Sequence, residues 1–268
     1  MTNRWKITCG VLVAVLASMF ISGSASADTV TKTWAPKYFT LDSGRIYWAD
    51  VPSCAPATDQ ACIDFMSTPR PVLFYLHPKG AVEDPFNVAA ALKNLHVMQA
   101  NSIFVYPISK DYTLAWDSGV CCTAGPVDDL GYLADTVQQL SGKYAVNPNR
   151  VGLFGVSNGG MLAEKAVCDR PDVFKAGASW AGTYSGDCSV AKVKLAQWHG
   201  ANDTTVPLDG GSTVIDGVNY TFPPADSLAK RMVAGAIFTL AVLTGYDHTP
   251  PTTIYQTQVN WLTSQFVG

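Results

Sequence analysis

The chain has 268 residues, with 18 lysines and arginines against 21 aspartates and glutamates, a formal charge of −3 and a charged fraction of only 15%. No basic run follows the N-terminal segment, so the sequence gives no footing for nucleic-acid binding and favours neutral or apolar ligands.

Arg4 and Lys6 precede an apolar run from Ile7 to Ile21, and small residues end at Ala25-Ser26-Ala27. That order predicts a secretory signal peptide over residues 1–27, cut before Asp28. The run is interrupted by Thr8, Gly10 and Ser18 and falls short of the roughly 20 residues a membrane span needs, so no stable anchor is expected after cleavage. Residues 28–268 suit one α/β domain. No linker, repeat or low-complexity stretch marks off a separate binding module.

Six cysteines follow the signal: Cys54, Cys62, Cys121, Cys122, Cys168 and Cys188. An even number in an exported chain implies disulfides, and the spacing lacks the C-x-x-C pairs of a zinc site. Proximity suggests Cys54–Cys62 and Cys168–Cys188, leaving Cys121 and Cys122 bonded to each other or exchanged with another pair. Neither a metal nor a cofactor is expected.

In chain order, short apolar runs predict strands at Arg45–Val51, Pro71–His77, Ser102–Tyr106, Val151–Val156, Ala176–Trp180, Val193–His199 and Ala236–Leu243. Several are apolar throughout, as strands covered on both faces should be. Helical patterns fall between and after them, at Phe86–Ala100, Leu130–Tyr144, Asn158–Arg170, Ser227–Val233 and Tyr255–Phe266. Such alternation predicts a mostly parallel central sheet with helices on both faces. Ligands then gather at the carboxyl ends of the strands.

Gly155-Val156-Ser157-Asn158-Gly159 lies at one such end, directly before a helix. G-x-S-x-G in that setting is a nucleophile elbow, which presents Ser157 Oγ at a helix N-terminus where backbone N–H groups favour an oxyanion. The elbow's fold orders its triad Ser, acid, His. Of four histidines only His248 follows every plausible acid beyond Ser157. Asp203 falls in the first turn after a core strand, whereas Asp209, Asp216 and Asp247 read as surface turn residues. His199 precedes Asp203, breaks the order, and is expected to pack or hydrogen-bond beneath the acid loop. Asn158 should supply one oxyanion N–H. The second should come from the loop after Pro71–His77, where Pro78 has none, leaving Lys79 or Gly80.

These residues resemble the extracellular poly(3-hydroxybutyrate) depolymerase and feruloyl esterase-like branch of the α/β-hydrolase superfamily. The likeness rests on Leu76-His77, Val105-Tyr106-Pro107, Cys121-Cys122 with Val127-Asp128-Asp129-Leu130-Gly131, and Gly155-Val156-Ser157-Asn158-Gly159-Gly160-Met161. It continues through Arg170-Pro171-Asp172, Ala181-Gly182, His199-Gly200 with Asp203, and Gly245 with His248-Thr249. It implies the α/β-hydrolase fold and cofactor-free hydrolysis of esters attached to or forming polymers, with Ser157, Asp203 and His248 at the catalytic positions. Two departures affect the pocket rim: Pro78 replaces a usual glycine, and Pro250 a usual tryptophan.

Asp129 reads as an acid that orients a loop, caps the helix Leu130–Tyr144 or does neither, and the cap is the plainer expectation. Trp116, Trp180, Tyr184 and Tyr246 flank strand ends or triad residues and are candidate substrate contacts. A secreted serine peptidase, or a non-catalytic binding protein on the same fold, are the competing readings. The first would commonly bring a propeller or large cap, and a chain of this length has no room for a propeller; the second leaves three intact triad positions unexplained.

Overall fold

The computed structural model describes residues 29–81, 85–110 and 114–266, and of Pro85 and Phe86 the backbone alone. The signal segment, 1–27, lies outside the described residues.

Eight strands form the central sheet: β1 (Thr31–Thr40), β2 (Ile46–Ala55), β3 (Arg70–Leu76), β4 (Ile103–Pro107), β5 (Val146–Val156), β6 (Ala176–Trp180), β7 (Lys194–Gly200) and β10 (Ile237–Leu243). Their spatial order is β1-β2-β4-β3-β5-β6-β7-β10. Pairing is antiparallel for β1 with β2 and β2 with β4, and parallel from β4 onward. The apolar runs arise because alternate side chains enter different cores. Val72, Phe74 and Leu76 of β3 pack with Leu133 and Leu140 of α3 (Asp129–Ser141) and with Leu162 and Ala166 of α4 (Asn158–Asp169). Leu73 and Tyr75 face the other side, with Leu92 of α2 (Pro85–Met98) and Leu262 of α5 (Ile254–Ser264).

All seven predicted strands form, with bounds shifted by up to five residues. Four elements were not expected. β1 is polar and exposed along much of its length, as an edge strand is, and so lacks an apolar run. α1 (Gln60–Ser67) is a short helix capped by Asp59, its first turn carrying Cys62 of the Cys54–Cys62 bond. A separate hairpin joins β8 (Gly211–Ile215) to β9 (Val218–Phe222). Its turn residues Asp216 and Gly217 both have positive φ, 50° and 80°, as a two-residue hairpin turn of this kind requires. The helix expected at Ser227–Val233 is a 3-10 helix, Ala225–Arg231.

The cysteines pair as Cys54–Cys62, Cys121–Cys122 and Cys168–Cys188, so the two central cysteines bond to each other without exchange. Among the described residues no helix is long and apolar enough to cross a membrane. Nor, among them, do three or more His, Cys, Asp or Glu side chains gather where they could hold a metal ion.

Candidate active site

β5 ends in a fully buried run, and Ser157 follows it at φ 54°, ψ −124°, a conformation few non-glycine residues adopt. The turn is held by its neighbours. Ser157 N–H donates to the Trp180 carbonyl at 2.7 Å, and Gln258 of α5 donates to the Gly155 carbonyl at 2.9 Å. Close approach explains the glycines: a Cβ on Gly155 would stand 2.6 Å from the Leu76 carbonyl oxygen, and one on Gly159 only 2.2 Å from it. β3, β5 and α4 therefore meet backbone to backbone, and Ser157 Oγ is left at the sheet's carboxyl edge.

The three residues expected to act together are together. Ser157 Oγ lies 2.9 Å from His248 Nε2, and His248 Nδ1 lies 2.8 Å from Asp203 Oδ2. Asp203 Oδ1 accepts the backbone N–H groups of Thr205 and Val206 at 2.9 and 2.8 Å. Burial pushes the Asp203 carboxyl up, but hydrogen bonds from His199 and His248 outweigh it and hold the group well below the usual carboxylate range. Asp203 is thus a buried, fully solvated-by-protein anion facing an imidazole whose side chain is 26% exposed. His199 packs beneath the acid loop as expected, with Nε2 2.8 Å from the Val206 carbonyl.

Asn158 opens α4, where first-turn N–H groups are not used within the helix. Its side chain does separate work: Oδ1 accepts from Trp116 N–H at 2.6 Å, and Nδ2 donates to the Trp116 and Cys121 carbonyls at 3.0 and 3.2 Å. The loop bearing the Cys121–Cys122 bond is thereby fastened to the elbow. Gly80 is corrected as an oxyanion donor. Its positive φ, 77°, turns its N–H to the Leu114 carbonyl at 3.0 Å, which leaves Lys79. The Lys79 ammonium pairs with Asp216 at the hairpin tip, and Thr213 Oγ1 near the hairpin base donates to the Thr205 carbonyl at 2.7 Å. The hairpin therefore runs from the acid loop to the oxyanion loop.

Three aromatic candidates are corrected. Trp116 is fully buried, and its indole N–H donates to the His77 carbonyl at 3.0 Å. Trp180 is fully buried and donates to the His248 carbonyl at 2.9 Å, so it steadies the base's loop and does not face solvent. Tyr184 is buried, with its hydroxyl on Asp169 at the far end of α4. Tyr246 alone of the four is exposed, edge-on to Trp180. Asp129 is corrected as a cap. Asp128 accepts Gly131 N–H at 2.7 Å and caps α3, while buried Asp129 holds Arg45 at 2.7 Å and Asp117 N–H at 2.8 Å, orienting that loop. Burial drives the Asp129 carboxyl up, against the pull of the Asp117 N–H and of Arg45.

The sequence profile of the prolyl oligopeptidase family matches residues 125–206. Among curated relatives, a feruloyl esterase B of Piromyces equi is 31% identical over 125 residues, 44% of this chain and 23% of that protein. A poly(3-hydroxybutyrate) depolymerase of Ralstonia pickettii is 23% identical over 281 residues, 92% of this chain and 56% of that one. The chain spans at most 56% of the length of either relative. A solved ferulic acid esterase of the anaerobic fungus Anaeromyces mucronatus superposes with a TM-score of 0.52 at 14% identity, covering 88% of this chain and 91% of that one. A thermostable esterase gives 0.55 at 16% identity over 86% of this chain and 62% of its own.

The chain has the α/β-hydrolase fold. Its relatives carry the names of the branch that its motifs resemble. Gln258, which braces the elbow, carries no sequence signal and is recognisable only by what it touches.

Proposed function

We propose that this chain is a secreted serine carboxylester hydrolase whose single catalytic domain follows a cleaved signal peptide over residues 1–27. The observation that carries the reading is the Ser157–His248–Asp203 chain, with contacts of 2.9 and 2.8 Å. Ser157 attacks the ester carbonyl while His248 Nε2 takes its proton. Asp203 holds the Nδ1–H tautomer and stabilises the imidazolium. The N–H groups of Asn158 and Lys79 receive the oxyanion, His248 gives its proton to the departing alcohol, and water attacks the acyl-enzyme by the reverse route.

The substrates are esters borne on or forming polymers: feruloyl or acetyl esters of plant polysaccharide, or a poly(3-hydroxybutyrate)-type polyester. Relatives named for these activities support that class. A half-buried Ser157, with exposed Tyr246 on the loop that carries His248, suits a chain laid across an open site. The match to the prolyl oligopeptidase family favours a second reading, a secreted serine peptidase.

One comparison separates the two. Purified enzyme is assayed on p-nitrophenyl butyrate, feruloylated arabinoxylan, acetylxylan, amorphous polyester and a prolyl-p-nitroanilide peptide, with fluorophosphonate labelling of Ser157. Ester turnover with labelling lost in Ser157→Ala is expected. Labelling with amide turnover alone would replace the esterase by the peptidase, and no labelling would remove both.

A further inference from the structure

A buried polar chain runs beneath the acid loop, and the triad chemistry above makes no use of it. Gln197 and His199, both on β7, are fully buried. Gln197 Nε2 donates to the Gly182 carbonyl and lies 3.2 Å from His199 Nδ1. His199 Nε2 lies 2.8 Å from the Val206 carbonyl. Carbonyl oxygens only accept, so Gly182 sets which end of the amide is nitrogen, and Val206 sets which ring nitrogen carries the proton. His199 is therefore the Nε2–H tautomer, accepting at Nδ1. The second acceptor near that N–H is Asp203 Oδ2 at 3.4 Å, the same oxygen that receives His248 Nδ1–H.

The arrangement has a cost. Gln197 Oε1 is buried with no hydrogen-bond partner among the described residues, a penalty that a leucine at the same place in β7 would not incur. What the amide supplies in return is control of the ring beneath Asp203. With the other tautomer, His199 would turn a lone pair towards a carboxylate and a carbonyl. The groups facing the ring are Gln197 from its own strand, Asp203 and Val206 from the acid loop, and Glu164 from α4, with Arg231 beyond it.

Resting on the reading of Asp203 as the triad acid, we propose that Gln197 and His199 are positioning residues: the Gln197 amide donates to the bare Nδ1 and seats the ring, so that its Nε2–H, set by Val206, also faces Asp203 Oδ2 and fixes that oxygen for His248. A neutral donor does this without cancelling the carboxylate charge, which stays available to the imidazolium formed during acyl transfer. Misplacement of the acid would act on the chemical step and leave ground-state binding alone.

The test combines 15N-histidine NMR at pH 8 with kcat and KM on p-nitrophenyl butyrate, for wild type, Gln197→Leu, His199→Leu and His199→Gln, each checked for folding by near-ultraviolet circular dichroism. The wild-type His199 signal should show a protonated Nε2 and a bare Nδ1. Gln197→Leu should keep the tautomer but move the Nδ1 signal as its hydrogen bond is lost, and lower kcat about 10-fold; His199→Leu should lower it up to about 100-fold, with KM little changed in either. His199→Gln places an N–H where Nε2 stood and should recover most of the loss, which a purely structural role does not predict. A protonated Nδ1 in wild type overturns the proposal, as does an unaltered kcat in folded Leu variants, or a His199→Gln as slow as His199→Leu. Should a Leu variant fail to fold, the wild-type tautomer and His199→Gln still decide. Failure of the esterase reading is distinct: wild type would then turn over esters no faster than Ser157→Ala, while the NMR result stands unaffected.

Discussion

Ser157 and His248 stand 2.9 Å apart on supports of opposite kinds. On the serine side, Val151 to Val156 and Asn158 to Ala163 are buried without a break, and backbones touch where glycine leaves room. On the histidine side, Gly245, Tyr246, Asp247 and Thr249 are exposed. That loop meets the core backbone to backbone at Gly200, where a Cβ would stand 2.1 Å from the Asp247 carbonyl oxygen, and is otherwise tied by the Trp180 indole on the His248 carbonyl and Asn202 N–H on the Tyr246 carbonyl at 2.9 Å. Ser157 is placed by packing on every side, and His248 by one close backbone contact and a few hydrogen bonds. Changes on the first side should therefore cost the fold, and changes on the second should cost turnover.

The largest effect should come from the two groups proposed to react. Ser157→Ala or His248→Ala should lower turnover of p-nitrophenyl butyrate on the order of 10³-fold or more, because nucleophile or base is gone. Melting temperatures should stay near wild type, since neither side chain packs a core. A His248→Ala variant with near-normal turnover would reassign the base.

Gly159→Ala tests the packed side. Its Cβ would meet the Leu76 and His77 carbonyl oxygens at 2.2 and 2.5 Å, and both are backbone atoms that no rotamer change can move aside. Overpacking ordinarily costs about 1–3 kcal/mol, and a backbone clash belongs at or above the top of that range. Urea unfolding should show the loss. A variant as stable as wild type would mean that β3 yields more readily than the contacts imply.

Much of this was legible in the sequence, and the reason lies in locality. The elbow is written in five consecutive residues, and the order Ser, acid, His reduces the remaining choice to one histidine and the first turn after one strand. Most of the predicted strands announce themselves because both faces are covered, whereas β10, at the exposed edge of the sheet, does so by its apolar run alone. What stayed hidden depends on partners distant in the chain. Lys79 and Gly80 are separated only by a backbone angle and by Leu114. Trp116 and Trp180 look like cleft residues until their indoles are found bonded inwards, to His77 and His248. Asp128 and Asp129 are both acids at a helix start, and only a reach of 84 residues to Arg45 assigns the second elsewhere. The hairpin is a different case. Asp216-Gly217 between apolar residues is a strong turn signal, overshadowed by the strand-helix alternation around it.

Trp180→Phe tests the tethered side. Phenylalanine keeps most of the buried ring but removes the N–H that holds the His248 carbonyl. A base displaced by a fraction of an ångström should lower kcat about 10-fold with little change in KM. Equal loss of kcat and of folded fraction would show that the indole serves packing alone.

The smallest effect is expected at the hairpin tip, where a third kind of support operates. Lys79 belongs to the oxyanion loop and Asp216 to the turn, and their ion pair joins the two across side chains that are 21% and 73% exposed. Exposed pairs contribute at most about 1 kcal/mol and are screened by salt. Asp216→Asn should therefore leave the melting temperature unchanged within error and lower kcat/KM roughly two- to threefold in dilute buffer. In about 0.5 M sodium chloride wild type and variant should converge, because added ions weaken the wild-type pair and have nothing to weaken in the variant. A deficit that survived high salt would mean that the Asp216 carboxylate does more than pair with Lys79, since asparagine suits the positive φ of this turn as well as aspartate does. In that case Lys79→Met should be harmless. If the charge pair matters, Lys79→Met should match Asp216→Asn at every salt concentration, since either change removes the same contact.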